Sequence, residues 1–399
     1  MKRKDYFKIT AALLAGILIA FSACKKDDDD DDDDDDNGGT PSNTITVTDD
    51  GSGTGTTTWS SSKTVVLDGF VFVNDGQTLT IEAGTMIQGK PGEGENASAL
   101  IVARGGTIIA NGTSTNPIIF TGEGDTKEGT YLKKIQGLWG GLIILGKATN
   151  NNPTNDKLIE GIPTNETRGK YGGSEDTDNS GSLQYISIRH GGTEIGAGNE
   201  INGLTLGSVG SGTTFDYIEV IGNLDDGVEF FGGAPQLKHV IVTYCGDDSY
   251  DYDEGFHGKG QFWLTIQGDE ADRCAEQDGG PSDNETGTPY AEPLIYNATY
   301  ISDGEGNFMI FRDNAAGTYA NSIFSGNDEA GIQFEYRNDK HSSLEWLTDA
   351  SPAATLMIKN CIFHNMGTDT TQFLSGKAEK GTLPANTDSV VTQLFASNS

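Results

Sequence analysis

Basic residues are scarce. The 399-residue chain carries 26 Lys and Arg against 59 Asp and Glu, a formal net charge of −33. A field of that sign disfavours phosphate backbones and anionic lipid surfaces, so nucleic acid is not expected as a partner. Cysteine is also sparse, at four. Setting Cys24 aside leaves Cys245, Cys274 and Cys361, an odd count that rules out a full disulfide framework. One Cys245–Cys274 bridge and three buried free thiols both remain open. No apolar run after the N-terminus could span a membrane, and no convincing helical stripe runs through the strand-like text. Zinc-ligand spacing, a nucleophile elbow and a phosphate loop are lacking. The glycine-rich Gly207–Gly212 has no strand–loop–helix setting around it.

What is there begins with an export signal. Lys2, Arg3, Lys4 and Lys8 precede Ile9–Ala23, a stretch of 15 uncharged residues. That is short for a membrane span, which takes about 20 apolar residues, and suits a secretory h-region. Ser22 and Ala23 lead into Cys24, in a pattern that resembles a bacterial lipobox, whose cysteine is acylated. We therefore expect a signal peptide over 1–23, lipidation at Cys24, and attachment to a membrane by that anchor. A cleaved soluble signal with a chance cysteine is the alternative. Lys25, Lys26 and ten aspartates, Asp27–Asp36, follow. Like charges in a run repel and bury nothing, so residues 24–60 are expected to be a disordered tether. Lys followed by acids also resembles the surface-export signal of Bacteroidota lipoproteins, which implies the outer face of the outer membrane. Removing the 11 acids and 6 bases of residues 1–36 leaves 48 acids against 20 bases, a net charge near −28. Such a body tolerates neutral glycans and attracts divalent cations.

From Val65 onward, short β-branched runs close on Gly and Asn, as in Val65–Gly69, Phe70–Gly76 and Leu79–Gly89. Strand and turn in alternation is the rhythm of an all-β sandwich or solenoid. A repeat decides between them. Leu183–Ile188, Phe215–Val220 and Leu237–Val242 share one pattern, and Phe215 lies 22 residues before Leu237. The segments Asp225–Phe230 and Asp247–Tyr252 keep the same offset. A fixed period is the mark of a solenoid, in which each unit buries its apolar face on its neighbours. The expected fold is a single-domain right-handed parallel β-helix over 61–399, with about 22 residues per coil and long polar insertions at Gly122–Gln136, Thr149–Thr177 and Gly268–Pro293. Asn297, Asn321 and Asn360 recur at looser spacing and read as turn residues of successive coils.

Four blocks carry a family resemblance: Gly76–Thr85, Leu138–Gly146, Asn199–Leu206 and Asp225–Gly233. They resemble the sequence blocks of a family of Bacteroidota secreted right-handed parallel β-helix lipoproteins, over roughly residues 60–365. The resemblance implies fold and export more firmly than an activity. It also implies an aromatic-rich closing segment that the residues after Phe395 do not show.

The chemistry-bearing residues are acidic. The 22-residue register brings Asp225 near Asp247, Asp226 near Asp248 and Glu229 near Asp251. Such density of hard oxygen suits Ca2+, which takes 6–8 oxygen ligands. The other readings are an acidic turn ladder fanned into water, and a catalytic pair with one carboxyl kept protonated. In the catalytic reading Asp225, Asp226, Asp247 and Asp248 would act with His257 and Lys259. The ordered blocks of β-helical hydrolases and lyases are not found, and His257 and Lys259 read more simply as surface residues. A second group, Glu270, Asp272, Glu276, Asp278 and Asp283, reads as a solvated loop around Cys274 that could hold a cation. Trp139, Tyr250, Tyr252, Trp263, Tyr336 and Trp346 could stack on sugars, with core the default for each. The function expected is a surface lipoprotein that binds or adheres to glycan or another extracellular polymer. A polysaccharide lyase or glycoside hydrolase, or a purely structural envelope protein, are the alternatives.

Overall fold

The computed structural model describes residues 43–396, apart from 155, 197–198, 269–270, 282–283, 304–306, 327–329, 350–352 and 367–372. The signal peptide, Cys24 and Asp27–Asp36 lie outside the described residues. So do Glu270 and Asp283.

Each coil exists because its strands cannot bury an apolar face alone. Thr214–Ile221 pairs in parallel with Gly181–Arg189 on one side and Gln236–Thr243 on the other. Phe215 is thereby stacked between Leu183 and Leu237, Ile218 between Ile186 and Val240, and Val220 between Ile188 and Val242. All of these side chains are buried. Burying an aliphatic side chain of this size contributes about 1.5–3 kcal/mol. The stacking reproduces the register read from the repeat. The step is 22 residues from Thr214 to Gln236, 23 from Gln236 to Lys259, and 35 from Lys259 to Leu294. The 22-residue coil is thus the bare unit, and insertions lengthen others.

Two main sheets wind along the axis of a right-handed parallel β-helix. One has ten strands, from Phe70–Val73 to Leu374–Lys380. The other has 17 and bends along a line of corners. At the corners Tyr185, Tyr217, His239, Phe262, Asn297, Asn321 and Asn360 all have φ between 51° and 59°. Asn tolerates this left-handed conformation well, and its recurrence in the last three coils has that backbone cause. Gly260 is needed for packing instead. A Cβ there would meet the buried Trp263 ring at 2.6 Å.

Two expectations are corrected. The helix does not begin at 61, because Thr44–Val47 already pairs with Thr64–Leu67, and Thr57–Trp59 with Thr78–Ile81. Ile45, Val47 and Trp59 give these Thr-rich segments enough apolar surface to pack on the core. The Gly268–Pro293 segment is not wholly an insertion, since Ala275–Asp278 is a rung of the ten-stranded sheet. Cys245, Cys274 and Cys361 are buried and form no disulfide, so the thiol alternative holds. The Thr149–Thr177 insertion packs Ile159, Ile162 and Tyr171 on the outer face of the ten-stranded sheet, against Phe72, Ile101 and Ile143. A helix, Thr387–Ala396, sends Val391 and Leu394 onto the end of the core. No described helix is long and apolar enough to cross a membrane.

Candidate cation site

Outward-facing residues of the ten-stranded sheet change character along the axis. In one register row Thr205 is followed by Glu229, Asp251 and Glu276. The turns that lead into these strands add Asp225, Asp226, Asp247, Asp248 and Asp272. The structure therefore brings together all six carboxylates of the predicted metal set. Their oxygens form four overlapping groups: Asp225, Asp226 and Asp247; Asp226, Glu229 and Asp251; Asp247, Asp248 and Asp272; Asp248, Asp251 and Glu276. Within each group the oxygens lie within 4.8 Å of one another. Two oxygens on opposite sides of one Ca2+, each about 2.4 Å from it, are separated by about that distance.

The row runs from exposed Asp247 and Asp272 to buried side chains. Asp226 is 6% exposed, Glu229 8% and Asp248 3%. Water fanning is therefore not available to the inner half. Few donors compensate. Asp226 accepts the backbone N–H of Asp248 at 2.8 Å, and Glu229 accepts the Asn202 amide. One oxygen each of Asp248 and Asp251 is buried without a hydrogen-bond partner. Burial, then Glu160, Asp247 and Glu200, pushes the Asp225 carboxyl up to about 7. Burial also drives Asp226, Glu229, Asp248 and Asp251 well above the usual carboxylate range. Asp225 and Asp248 add to it at Asp226, and Glu160 and Asp251 at Glu229.

Arginines close one end. Arg273 meets Glu276 at 2.7 Å, Asp272 at 2.5 Å and Asp248 at 3.8 Å. Arg312 meets Asp278 at 2.7 Å and Glu276 at 3.0 Å. The reading of Glu276 and Asp278 as a solvated loop is thus corrected, because both belong to a strand and a half-buried ion-pair network. Burial opposes the charge of Arg273, but its three carboxylates outweigh burial and hold the guanidinium above its ordinary value.

The catalytic constellation is not assembled. His257 turns to Asp176 of the Thr149–Thr177 insertion, at 3.5 Å, and to the Gly255 carbonyl. Lys259 lies on the 17-stranded sheet, in register with Gln236 and Leu294. Trp139, Tyr250, Tyr252, Trp263 and Trp346 are buried, and Tyr336 packs on the core, so the core default describes all six. Other rings reach the surface, Tyr217 and Phe262 exposed and Tyr185 and His239 half-buried. Tyr185, Tyr217, His239 and Phe262 form a column at the corner line, with centroids 4.5, 4.4 and 5.1 Å apart. The signal for them is a phase slip. Phe215, Ile218 and Val220 point inward, so strict alternation fails at Tyr217, which the corner turns outward.

A right-handed parallel β-helix bearing a row of outward carboxylates is the class that fold and site define. A family model for a pectate-lyase-like β-helix domain matches residues 51–394, and the chain belongs to that family. No curated protein and no solved structure matches it.

Proposed function

We propose that this protein is a lipid-anchored, surface-displayed β-helical scaffold that binds an extracellular glycan with the help of Ca2+ held in the acidic row. The observation that carries the reading is that Asp248 and Asp251, which share an oxygen group with Glu276, each bury an oxygen without a hydrogen-bond partner. Carboxylates so placed repel strongly, and a divalent cation held among them would relieve the repulsion close to the exposed Asp247 and Asp272. A cation at that edge also offers coordination to sugar hydroxyls or carboxylates. The family's pectate-lyase-like fold is compatible with polysaccharide as the partner. Cys24 and the Asp27–Asp36 run support export, anchoring and display at the outer membrane.

A lyase reading has one specific support, since Arg273 borders the cation row. Removing a sugar proton requires a base, and three carboxylates keep Arg273 charged. Binding is therefore the better-supported function. The test is a panel of plant and microbial polysaccharides titrated into purified protein with Ca2+ and with EDTA, followed by assays for reducing ends and unsaturated products. Calcium-dependent binding without product is expected, and Asp226→Asn with Asp251→Asn should abolish it. Binding that ignores both calcium and those substitutions would overturn the proposal. Product formation that dies with Arg273→Lys would replace binding by catalysis.

A further inference from the structure

Lys238 and Lys259 stand on neighbouring coils, outward from the strands Gln236–Thr243 and Lys259–Gln267. Both are exposed. Among the described residues neither has an ion pair, although acids outnumber bases more than twofold. Asp216 is the register neighbour of Lys238, but its carboxylate is engaged by His239 Nδ1 at 2.7 Å. Lys238 lies instead over the Phe262 ring, at 5.6 Å. Two cations without an ion pair thus share one place with a single carboxylate, that of Asp216.

They line a single groove of about 610 Å³ together with Thr214, Gln236, Gln261 and Tyr296. The register arranges these side chains in two rows along the helix axis. One row runs Thr214, Gln236, Lys259, and the other Asp216, Lys238, Gln261, Tyr296. Successive members are separated by the strand spacing, about 4.8 Å. That is comparable to one hexose unit of an extended chain. The Gln236 and Gln261 amides, on neighbouring coils, both donate and accept, as sugar hydroxyls require.

We infer that this groove is a second glycan site, specific for acidic glycan and independent of any cation. The polymer lies along the axis, its hydroxyls meet Gln236 and Gln261, and its carboxylate or sulfate groups meet Lys238 and Lys259. A peptide fits less well. Strand addition needs a free sheet edge, and both of these strands are paired on each side. The neighbouring ring column contributes mainly edges, because its inner faces are stacked on each other within 10° of parallel.

The experiment titrates the full-length protein in EDTA with polygalacturonate, dextran sulfate, neutral dextran and poly-glutamate. At least one acidic glycan should bind, with neutral dextran and poly-glutamate much weaker. Binding should weaken as salt rises, because exposed charges are screened. Lys238→Ala with Lys259→Ala should weaken it roughly tenfold, a few-fold for each exposed charge. Lys238→Arg with Lys259→Arg should retain it. The two acidic polymers distinguish carboxylate from sulfate as the preferred group. The inference is overturned if neither acidic glycan binds, if the double alanine variant binds like the parent, or if poly-glutamate binds as well. Failure of the acidic row would appear separately, as loss of calcium-dependent binding with the lysine groove unaffected.

Discussion

Glu229 and Asp251 are register partners on adjacent coils of the ten-stranded sheet, and both point out of it. Like charges at about the 4.8 Å strand spacing repel by roughly 3 kcal/mol at an effective dielectric near 20. Asp226 shares an oxygen cluster with both. Protons or a cation would each relieve that repulsion.

The protonated form has a pH signature. A carboxyl whose folded pKa is raised holds its proton more tightly folded than unfolded. The stability from that difference is fully present below its unfolded value and is lost as pH rises through the folded one. For Asp225 the window runs from 3.8 to about 7. Asp226, Glu229, Asp248 and Asp251 shift in the same direction. Each proton released changes stability by about 1.4 kcal/mol per pH unit within its window. Calcium-free protein should therefore melt at a higher temperature at pH 5.5 than at pH 8, and saturating Ca2+ should narrow the gap from the alkaline side. A calcium-free melting temperature that stays level or climbs between those pH values would contradict the buried row.

The corner line makes a backbone prediction. Asn297 has φ of 59°, where a β-branched side chain clashes with the backbone. Asn297→Val should lower stability by about 1–2 kcal/mol, and Asn297→Gly by less than about 1 kcal/mol. Denaturant midpoints would show the contrast. Equal losses for the two variants would mean that the asparagine side chain, not the backbone angle, matters there.

Much of this architecture was legible in the sequence, because Phe215, Ile218 and Val220 and their copies 22 residues on occupy inward positions with little interruption. The start of the helix was not, since Ile45, Val47 and Trp59 are isolated among Thr, Ser and Gly. The rung Ala275–Asp278 was hidden because its inward residues are Ala275 and Gln277, which read as loop. The six clustered carboxylates followed from the register. Their burial did not, because it depends on the folding of Thr149–Thr177 and of the turns around Asp226 and Asp248, which no periodicity encodes. The lysine groove was missed for a related reason, as Lys259 was weighed only beside His257 and Lys238 not at all, until the register places both in one groove.

The anchor prediction rests on the N-terminal sequence. Acylation would add the apolar surface that membrane attachment needs. Cys24→Ala should move the protein from the membrane fraction to the soluble one, and deletion of Asp27–Asp36 should reduce its protease accessibility on whole cells. Membrane partition unchanged in a processed Cys24→Ala protein would remove the anchor. Equal accessibility with and without the acidic run would remove the display role of that run.

Asp251 gives the most direct test of the cation. It belongs to two oxygen groups, with Asp226 and Glu229 on one side and with Asp248 and Glu276 on the other. One of its oxygens is buried without a partner. Ca2+ at a hundredfold excess over its dissociation constant should stabilise the parent by about 2.7 kcal/mol, since it binds only the folded protein. Asp251→Asn removes a charged ligand from both groups and should abolish most of that gain. The calcium-free variant should be as stable as the parent or more so, because the substitution also removes a repelling charge. Asp68→Asn, which alters an exposed pair with Lys90, is the control and should leave the calcium response intact. Thermal melts with Ca2+ and with EDTA measure all three proteins. If calcium shifts the parent and Asp251→Asn equally, the ion lies elsewhere; if it shifts neither, protons alone hold the row together.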